Sequence, residues 1–367
     1  MNPTKGRFMD IHGPNQPSRL QNLVYSVLLV ILAGYLLVIG RSLLVPIFVA
    51  VISVYILVSA SNWLGIQPVT RFLPLIARRV IVLLAFILAI AVLTGVIIST
   101  AGQIVAKVPV YQQNLDTLAD SLLSRFGIDV PTDWNVVWDS TIGRINVQSV
   151  AGVAVGRVGS LAGVVFLVVI YAMFLMGERG GFAHKISLAL PGESGRQSQD
   201  IIASINASIG NYLAVKTLIN AILATISFGV MWLFGVDFAL FWAIMIGLLN
   251  YIPYFGSLIG VLFPVALTMA QFGTLQTTVY VLVLLTSAQM WVGNFLEPRM
   301  IGKKVNLSPF IVLVSLSVWT SLWGIAGSIL AIPMTAILAI VLSHFDATRP
   351  IAILLSDDPD LVTDGER

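Results

Sequence analysis

The chain has 367 residues, 57% of them hydrophobic and only 10% charged, with a formal net charge of +3 at pH 7. Soluble domains carry about 25% charged residues, so too few charges are present to cover a water-facing surface, and lipid is the expected solvent for most of the chain. No cysteine is present, which excludes disulfides, zinc–thiolate sites and iron–sulfur clusters.

The fold class expected is an all-α polytopic membrane protein with about six full spans and two re-entrant or tilted helical hairpins of inverted orientation. The tail 1–22 is polar and holds Lys5, Arg7 and Arg19. The apolar run from Leu23 is too long for the core of a cleavable signal and reads as a first span. A spanning helix needs about 20 mostly apolar residues. Leu23–Gly40, Ser42–Ala60 and Val80–Ala101 give three spans within 23–101. Arg41 separates the first two, and a tight hairpin that lifts it to the interface is the cheaper arrangement. Region 102–156 keeps helical spacing through Val108, Tyr111, Leu115, Leu118, Leu122 and Phe126. It is expected outside the membrane as a small helical cap, with a loop at Pro131–Trp134 and Asp133 a candidate helix cap. Gly159–Gly177 is the fourth span, within 157–177. Segment 178–208 reads as an amphipathic helix on the inner surface, with His184 a surface histidine.

Asn211–Gly235 is the fifth span. Lys and Arg favour the cytoplasmic side. Placing Arg71, Arg78 and Arg79 inside, with both termini, is consistent as far as this point. A single span over 238–271 would then expose Arg299, Lys303 and Lys304 outside. The conflict disappears if 238–271 enters and leaves on the same face, turning at Asn250-Tyr-Ile-Pro253-Tyr-Phe-Gly256. Proline removes a helical donor and glycine permits a tight path. Thr274–Gly293 is a later span. The stretch 305–343 is too long for one span and is interrupted at Ser321–Gly324 and Gly327-Ser328. As a second hairpin, entering from the opposite face, it returns the acidic tail 344–367 to the cytoplasm. Paired interrupted segments in two halves point to a transport site, here within 209–343.

Two blocks carry a resemblance. Leu248-Leu-Asn-Tyr-Ile-Pro-Tyr-Phe-Gly-Ser-Leu-Ile-Gly260 resembles the Asn-aromatic-Ile-Pro-aromatic-Gly segment of the autoinducer-2 exporter family, the PerM-like permeases. Glu297-Pro-Arg-Met-Ile-Gly-Lys-Lys-Val-Asn-Leu-Ser-Pro309 and Trp323-Gly-Ile-Ala-Gly-Ser-Ile-Leu-Ala-Ile-Pro333 are similar to that family's closing region. Ser257 stands where the family commonly has proline. The resemblance implies a non-enzymatic transporter of the bacterial cytoplasmic membrane, linked either to export of autoinducer-2 or to sodium- or lithium-linked proton antiport. An oligomeric channel without ion coupling is the third reading. The expected partners are a small-molecule substrate, Na+ or H+, membrane lipid and further copies of the chain.

Polar groups at membrane depth are site candidates by default. The substrate pathway is expected at Asn250, Pro253, Tyr254, Gly256, Ser257, Gln289, Asn294, Ser308, Pro309, Gly324 and Gly327. Amides both donate and accept, which suits an uncharged, hydroxyl-rich ligand. Interhelical hydrogen bonding is the alternative for each amide, Asn211 and Asn220 included. Asp237 fits a cation or proton site, or an interfacial helix cap. Lys216 fits a side chain snorkelling to the interface, or a substrate contact. Glu297 and Arg299 fit a gate or a surface cluster. Tyr251 and Phe255 either line the path or pack the hairpin tip. Nucleotide, dinucleotide, metal and nucleophile motifs are missing, so no cofactor, metal or catalytic residue is expected. The basic residues belong to the inner membrane surface, so no nucleic-acid partner is expected.

Overall fold

The computed structural model describes residues 19–125, 163–178, 185, 188–190, 192–302 and 305–363. The expectations for the tail before Arg19, for Phe126, Pro131–Trp134 and Asp133, for His184, for Lys303 and Lys304, and for the last acidic residues lie outside these. Among the described residues every regular element is a helix. Six helices are long and apolar enough to cross a membrane, and three apolar helices are shorter.

The chain forms two compact units, one ending at Leu44 and one starting at Val45. The first contains α1 (Arg19–Ile39). Gly40 alone joins α1 to α2 (Arg41–Ile66), whose exposed first residue is Arg41. The Gly40 amide donates to the Leu36 carbonyl and its carbonyl accepts from Leu44, each at 2.8 Å, so helical hydrogen bonds continue where a tight hairpin was expected.

In the second unit, α2 is followed by α3 (Leu75–Arg125) and α4 (Gly163–Glu178). Val54 and Leu57 of α2 pack with Val82 of α3 and with Ala172 and Met176 of α4. The Arg79 guanidinium donates to the Met176 carbonyl at 3.0 Å, tying α3 to α4. The 51 residues of α3 extend about 77 Å at 1.5 Å per residue, far beyond a hydrocarbon core of about 30 Å. The helix therefore does not end near Ala101, where the third span was expected to stop. The same spacing that marked 102–126 as helical simply continues it, with Tyr111 and Leu118 buried.

A second merger follows. The amphipathic segment and the fifth span are one 41-residue helix, α5 (Glu193–Leu233). Tyr55 of α2 touches its N-terminal part. The Tyr55 hydroxyl donates to the Asn206 carboxamide oxygen at 2.9 Å. At Gly210, a Cβ would lie 3.5 Å from the Tyr55 ring, so the helices meet closely there.

The remaining elements are α6 (Ala239–Leu249), α7 (Phe255–Phe272) and α8 (Leu275–Trp291). A π-helical turn, Val292–Leu296, leads from α8 into α9 (Glu297–Ile301). Next come α10 (Pro309–Ser343), α11 (Arg349–Leu355) and α12 (Asp360–Thr363). The largest core lies among α5 to α8, where Ile219, Leu223, Met231, Ile246, Val281 and Leu285 are almost wholly buried.

Both expected interruptions occur. Between α6 and α7 the chain turns over Asn250–Tyr254. A Cβ on Gly256 would overlap the Leu249 carbonyl, so only glycine lets the second arm pass so close to the end of the first. In α10 the helix breaks at Gly324, with φ 62° and ψ −139°. A Cβ on Gly327 would overlap the Trp319 carbonyl across that break. The arms on either side then join through side chains. Thr320 and Ser328 share a 2.7 Å hydrogen bond, and the Trp319 indole donates to the Thr335 hydroxyl at 3.0 Å.

Candidate functional site

The site begins with a short polar stretch of α5. Lys216, Thr217 and Asn220 lie together on α5. Each reaches a different partner. The Lys216 ammonium donates to Glu297 at 2.6 Å. Thr217 and Tyr251 share a 2.6 Å hydrogen bond. The Asn250 amide donates to the Asn220 carboxamide oxygen at 2.8 Å. These ties fasten the tip of the α6–α7 hairpin and the start of α9 to one turn of α5. Gly247 lets α6 approach, since a Cβ there would sit 3.1 Å from the Asn220 carbonyl oxygen and from the Ala224 methyl.

Beside these ties lies a cavity of about 730 Å³, within the size range of small-molecule sites. Leucine, isoleucine, valine and methionine side chains make up its apolar wall. The polar groups on them are Lys216, Asn250, Ser257, Thr286, Gln289, Asn294 and Glu297, and Pro253 and Tyr254 form one rim. The Gln289 amide nitrogen is buried there without a hydrogen-bond partner. An orphaned buried donor costs about 1–3 kcal/mol, so Gln289 has a hydrogen bond to offer something that enters. Val312 and Ile332, from the two arms of α10, close the cavity.

Of the residues expected from sequence, eight line this cavity: Asn250, Pro253, Tyr254, Ser257, Gln289, Asn294, Lys216 and Glu297. Gly256 closes the hairpin behind it. Ser308 caps α10, accepting from the Ile311 amide at 3.3 Å, and Pro309 occupies the first turn. Gly324 and Gly327 shape the turn of the second hairpin. Arg299 is exposed, and the carboxylate of Glu297 is bound by Lys216 instead. Lys216 is buried against that carboxylate. Its side chain is 7% exposed, because a carboxylate is within reach and the desolvation of an unpaired ammonium would cost several kcal/mol.

Asp237 lies elsewhere. It accepts from Lys107 at 2.6 Å and from the Tyr111 hydroxyl at 2.7 Å. Its own amide donates to Gln271. It does not cap α6, whose N-cap is Phe238 with no side-chain bond. Asn114 donates to the carbonyls of Ala270 and Gln271. The far half of α3 is thereby clamped onto the loops that follow α5 and α7.

Several lining residues had no sequence signal: Leu282, Thr286 and Val312. They sit in apolar runs, and only the fold puts them beside the amides. Pairing of Lys216 with Glu297 was equally hidden, since they are 81 positions apart.

Apolar helices of membrane-spanning length, two broken hairpins and a polar-studded cavity where they meet define a membrane transport protein. The AI-2E family transporter model matches residues 25–347, and the chain belongs to that family, one of transporters rather than enzymes. It is 27% identical to the AI-2 transport protein TqsA of Escherichia coli K12 over 91% of this chain and 95% of that one. It is 32% identical to a protein of Borreliella burgdorferi, provisionally named as a transport protein, over 68% of each chain. The transport protein YhhT of Escherichia coli K12, also provisionally named, is 27% identical over 75% of this chain and 78% of its own length.

Proposed function

We propose that this chain exports a small, uncharged, hydroxyl-rich metabolite such as autoinducer-2 across the bacterial cytoplasmic membrane, binding it in the cavity beside Gln289. The observation that carries this reading is the cavity itself. Its amides and hydroxyls are spaced around an apolar wall, and its two charges neutralise each other. A polyhydroxylated ligand finds donors and acceptors there without bringing a charge of its own. The name of the TqsA relative supports the same substrate class.

In this reading the hairpins α6–α7 and α10 enter the membrane from opposite faces, with both termini in the cytoplasm. Irregular backbone at membrane depth is tolerated where it is buried in protein or lines a wet cavity, and Asn250–Tyr254 does line one. The 11-residue α6 spans about 16 Å, too short to cross alone.

The test is efflux of autoinducer-2 from proteoliposomes. Protein-containing vesicles should lose it faster than empty ones. Gln289→Leu keeps the bulk of the side chain and removes its hydrogen bonds. It should slow efflux about tenfold, the effect of losing roughly 1.4 kcal/mol of binding in the transition state. Equal efflux with and without protein sinks the proposal.

A second reading, sodium- or lithium-linked proton antiport, is favoured by one feature, the Glu297 carboxylate in the cavity wall. A cation or proton arriving there competes with Lys216 for it. Sodium-driven proton movement that is lost in Glu297→Gln supports this reading. Its absence in the native chain removes it.

A further inference from the structure

A second cavity, of about 530 Å³, lies on the side of the C-terminal segment. It shares α5 and α10 with the first, taken one to two turns away, and is completed by α11 and the segment after it. On α5, Ser204 and Ser208 face the second cavity and Lys216 the first. On the closing arm of α10, Ala336 and Ser343 face the second and Ile332 the first. At the start of α10, Asn306 lies at the second and Val312 at the first. Three strands of evidence thus give the same order. The separation is about 12 Å along α5 and about 6 Å along α10, at 1.5 Å per residue.

What lies between is well packed. On α5, Tyr212 and Leu213 are 4% and 1% exposed. On α10, Pro333, Met334 and Thr335 are all buried. Tyr212 stands one turn from Ser208 and one turn from Lys216, on the helix face that links them. Glu297, on the wall of the first cavity, and Tyr251 are its electrostatic neighbours. Tyrosine suits such a place, because its ring blocks a narrow passage and two χ angles suffice to move it aside.

We infer that Tyr212 is the gate between the two cavities, and that the second cavity is the vestibule through which the transport site opens toward the face carrying the C-terminal segment. This rests on the first cavity being the transport site. It adds a path, a barrier and one residue that controls it. The vestibule's serines, with His344 and Arg349 at its wall, give a polar ligand a wet route to the barrier. The barrier itself offers no comparable polar surface.

The chain contains no cysteine, so one engineered thiol reports cleanly. Thr286→Cys places it in the first cavity. A membrane-impermeant methanethiosulfonate reagent is applied from either face of vesicles of known orientation. The native gate should leave labelling slow from the face bearing the C-terminal segment. Tyr212→Ala should speed it about tenfold from that face only, as removal of about 1.4 kcal/mol of barrier does. Tyr212→Phe keeps the ring and should stay slow. Equal rates in all three overturn the inference, and so does a rise from both faces, which marks a loosened fold. Labelling needs no substrate. Gated labelling without autoinducer-2 efflux therefore counts against the proposed substrate alone, whereas efflux with ungated labelling counts against Tyr212 alone.

Discussion

The two hairpins reach the same cavity by different means. Both bring their arms together at a glycine whose Cβ would strike a carbonyl, Gly256 against Leu249 and Gly327 against Trp319. Their turns differ. In α10 the left-handed position is taken by Gly324, where glycine has no steric cost. In the first hairpin it is taken by Tyr254, with φ 62° and ψ −54°. The Phe255 amide there donates to the Pro253 carbonyl at 2.6 Å, which makes Asn250–Tyr254 end in the strained form of the γ-turn. The same hairpin starts at Phe238, also left-handed at φ 57°. Strain held by non-glycine residues clusters at functional sites, and Tyr254 lines the cavity. The second hairpin is relaxed support. The first is the one under tension at the site.

The largest test of this contrast concerns what joins the two halves. Lys216 belongs to the helix leading into the first hairpin, and Glu297 to the turn leading into the second. Lys216→Met leaves Glu297 without its partner. A broken buried pair costs about 3–5 kcal/mol, whereas replacing both partners with apolar groups is often neutral. The lower end applies, because the Glu297 side chain keeps 29% exposure. Thermal unfolding in detergent should show a clear loss for Lys216→Met and recovery in the double variant with Glu297→Met. A double variant as unstable as the single one would show that the ammonium has some further role.

Next come the close approaches. Gly256→Ala and Gly327→Ala each drive a methyl into a backbone carbonyl, which cannot move as a flexible side chain does. Overpacking of this kind costs about 1–3 kcal/mol. The two variants should lose similar stability, since the contact is the same. Their transport should differ, with Gly256→Ala losing more because it displaces Asn250 and Ser257 at the cavity. Equal transport loss would break the contrast between a strained working hairpin and a relaxed supporting one.

The turns themselves make the third test. Gly324→Ala puts a Cβ at φ 62°, ψ −139°, a region essentially reserved for glycine, at a cost of about 1–3 kcal/mol. Tyr254→Gly runs the other way. It relieves the strained turn, partly offset by the greater entropy of the unfolded glycine. Opposite signs of the stability change at the two turns are the expected outcome, read from the same unfolding curves.

The sequence made these turns visible because the residues that permit them are chemically distinctive. Pro253 and Gly256 interrupt one apolar run, and Gly324 and Gly327 the other. The cavity's amides were visible for a related reason, since Asn250, Gln289 and Asn294 have no business in lipid without a partner or a ligand. The partners themselves were not visible. Lys216 and Glu297, Thr217 and Tyr251, Asn220 and Asn250 meet only once the helices pack. Helix length was also poorly legible where an apolar stretch passes into an amphipathic one. The sequence changes from apolar to amphipathic near Ala101 and from amphipathic to apolar near Ile209, but nothing there breaks the helix, so α3 and α5 run on. The clamp of Asp237 by Lys107 and Tyr111 depends on that continuation of α3, which explains why Asp237 looked like a free carboxylate or a cap.

The smallest effect concerns how each hairpin begins. Ser308 caps α10 through the Ile311 amide, and its own amide donates to the Leu355 carbonyl at 3.1 Å. Ser308→Ala removes only the side-chain bond, at about 1 kcal/mol. The first hairpin has no such cap to lose, because Phe238 offers no acceptor and is itself left-handed. Phe238→Gly relieves that conformation but gives up the contact of its ring with the Lys107 ammonium, 5.6 Å from the ring centre. A cation over an exposed ring contributes about 0.5–1 kcal/mol, close to the strain released. Stability should therefore fall modestly for Ser308→Ala and hardly move for Phe238→Gly. If Phe238→Gly were instead markedly stabilising, the tension in the first hairpin would reach its entry as well as its tip. Its two left-handed residues would then be acting as a single strained unit.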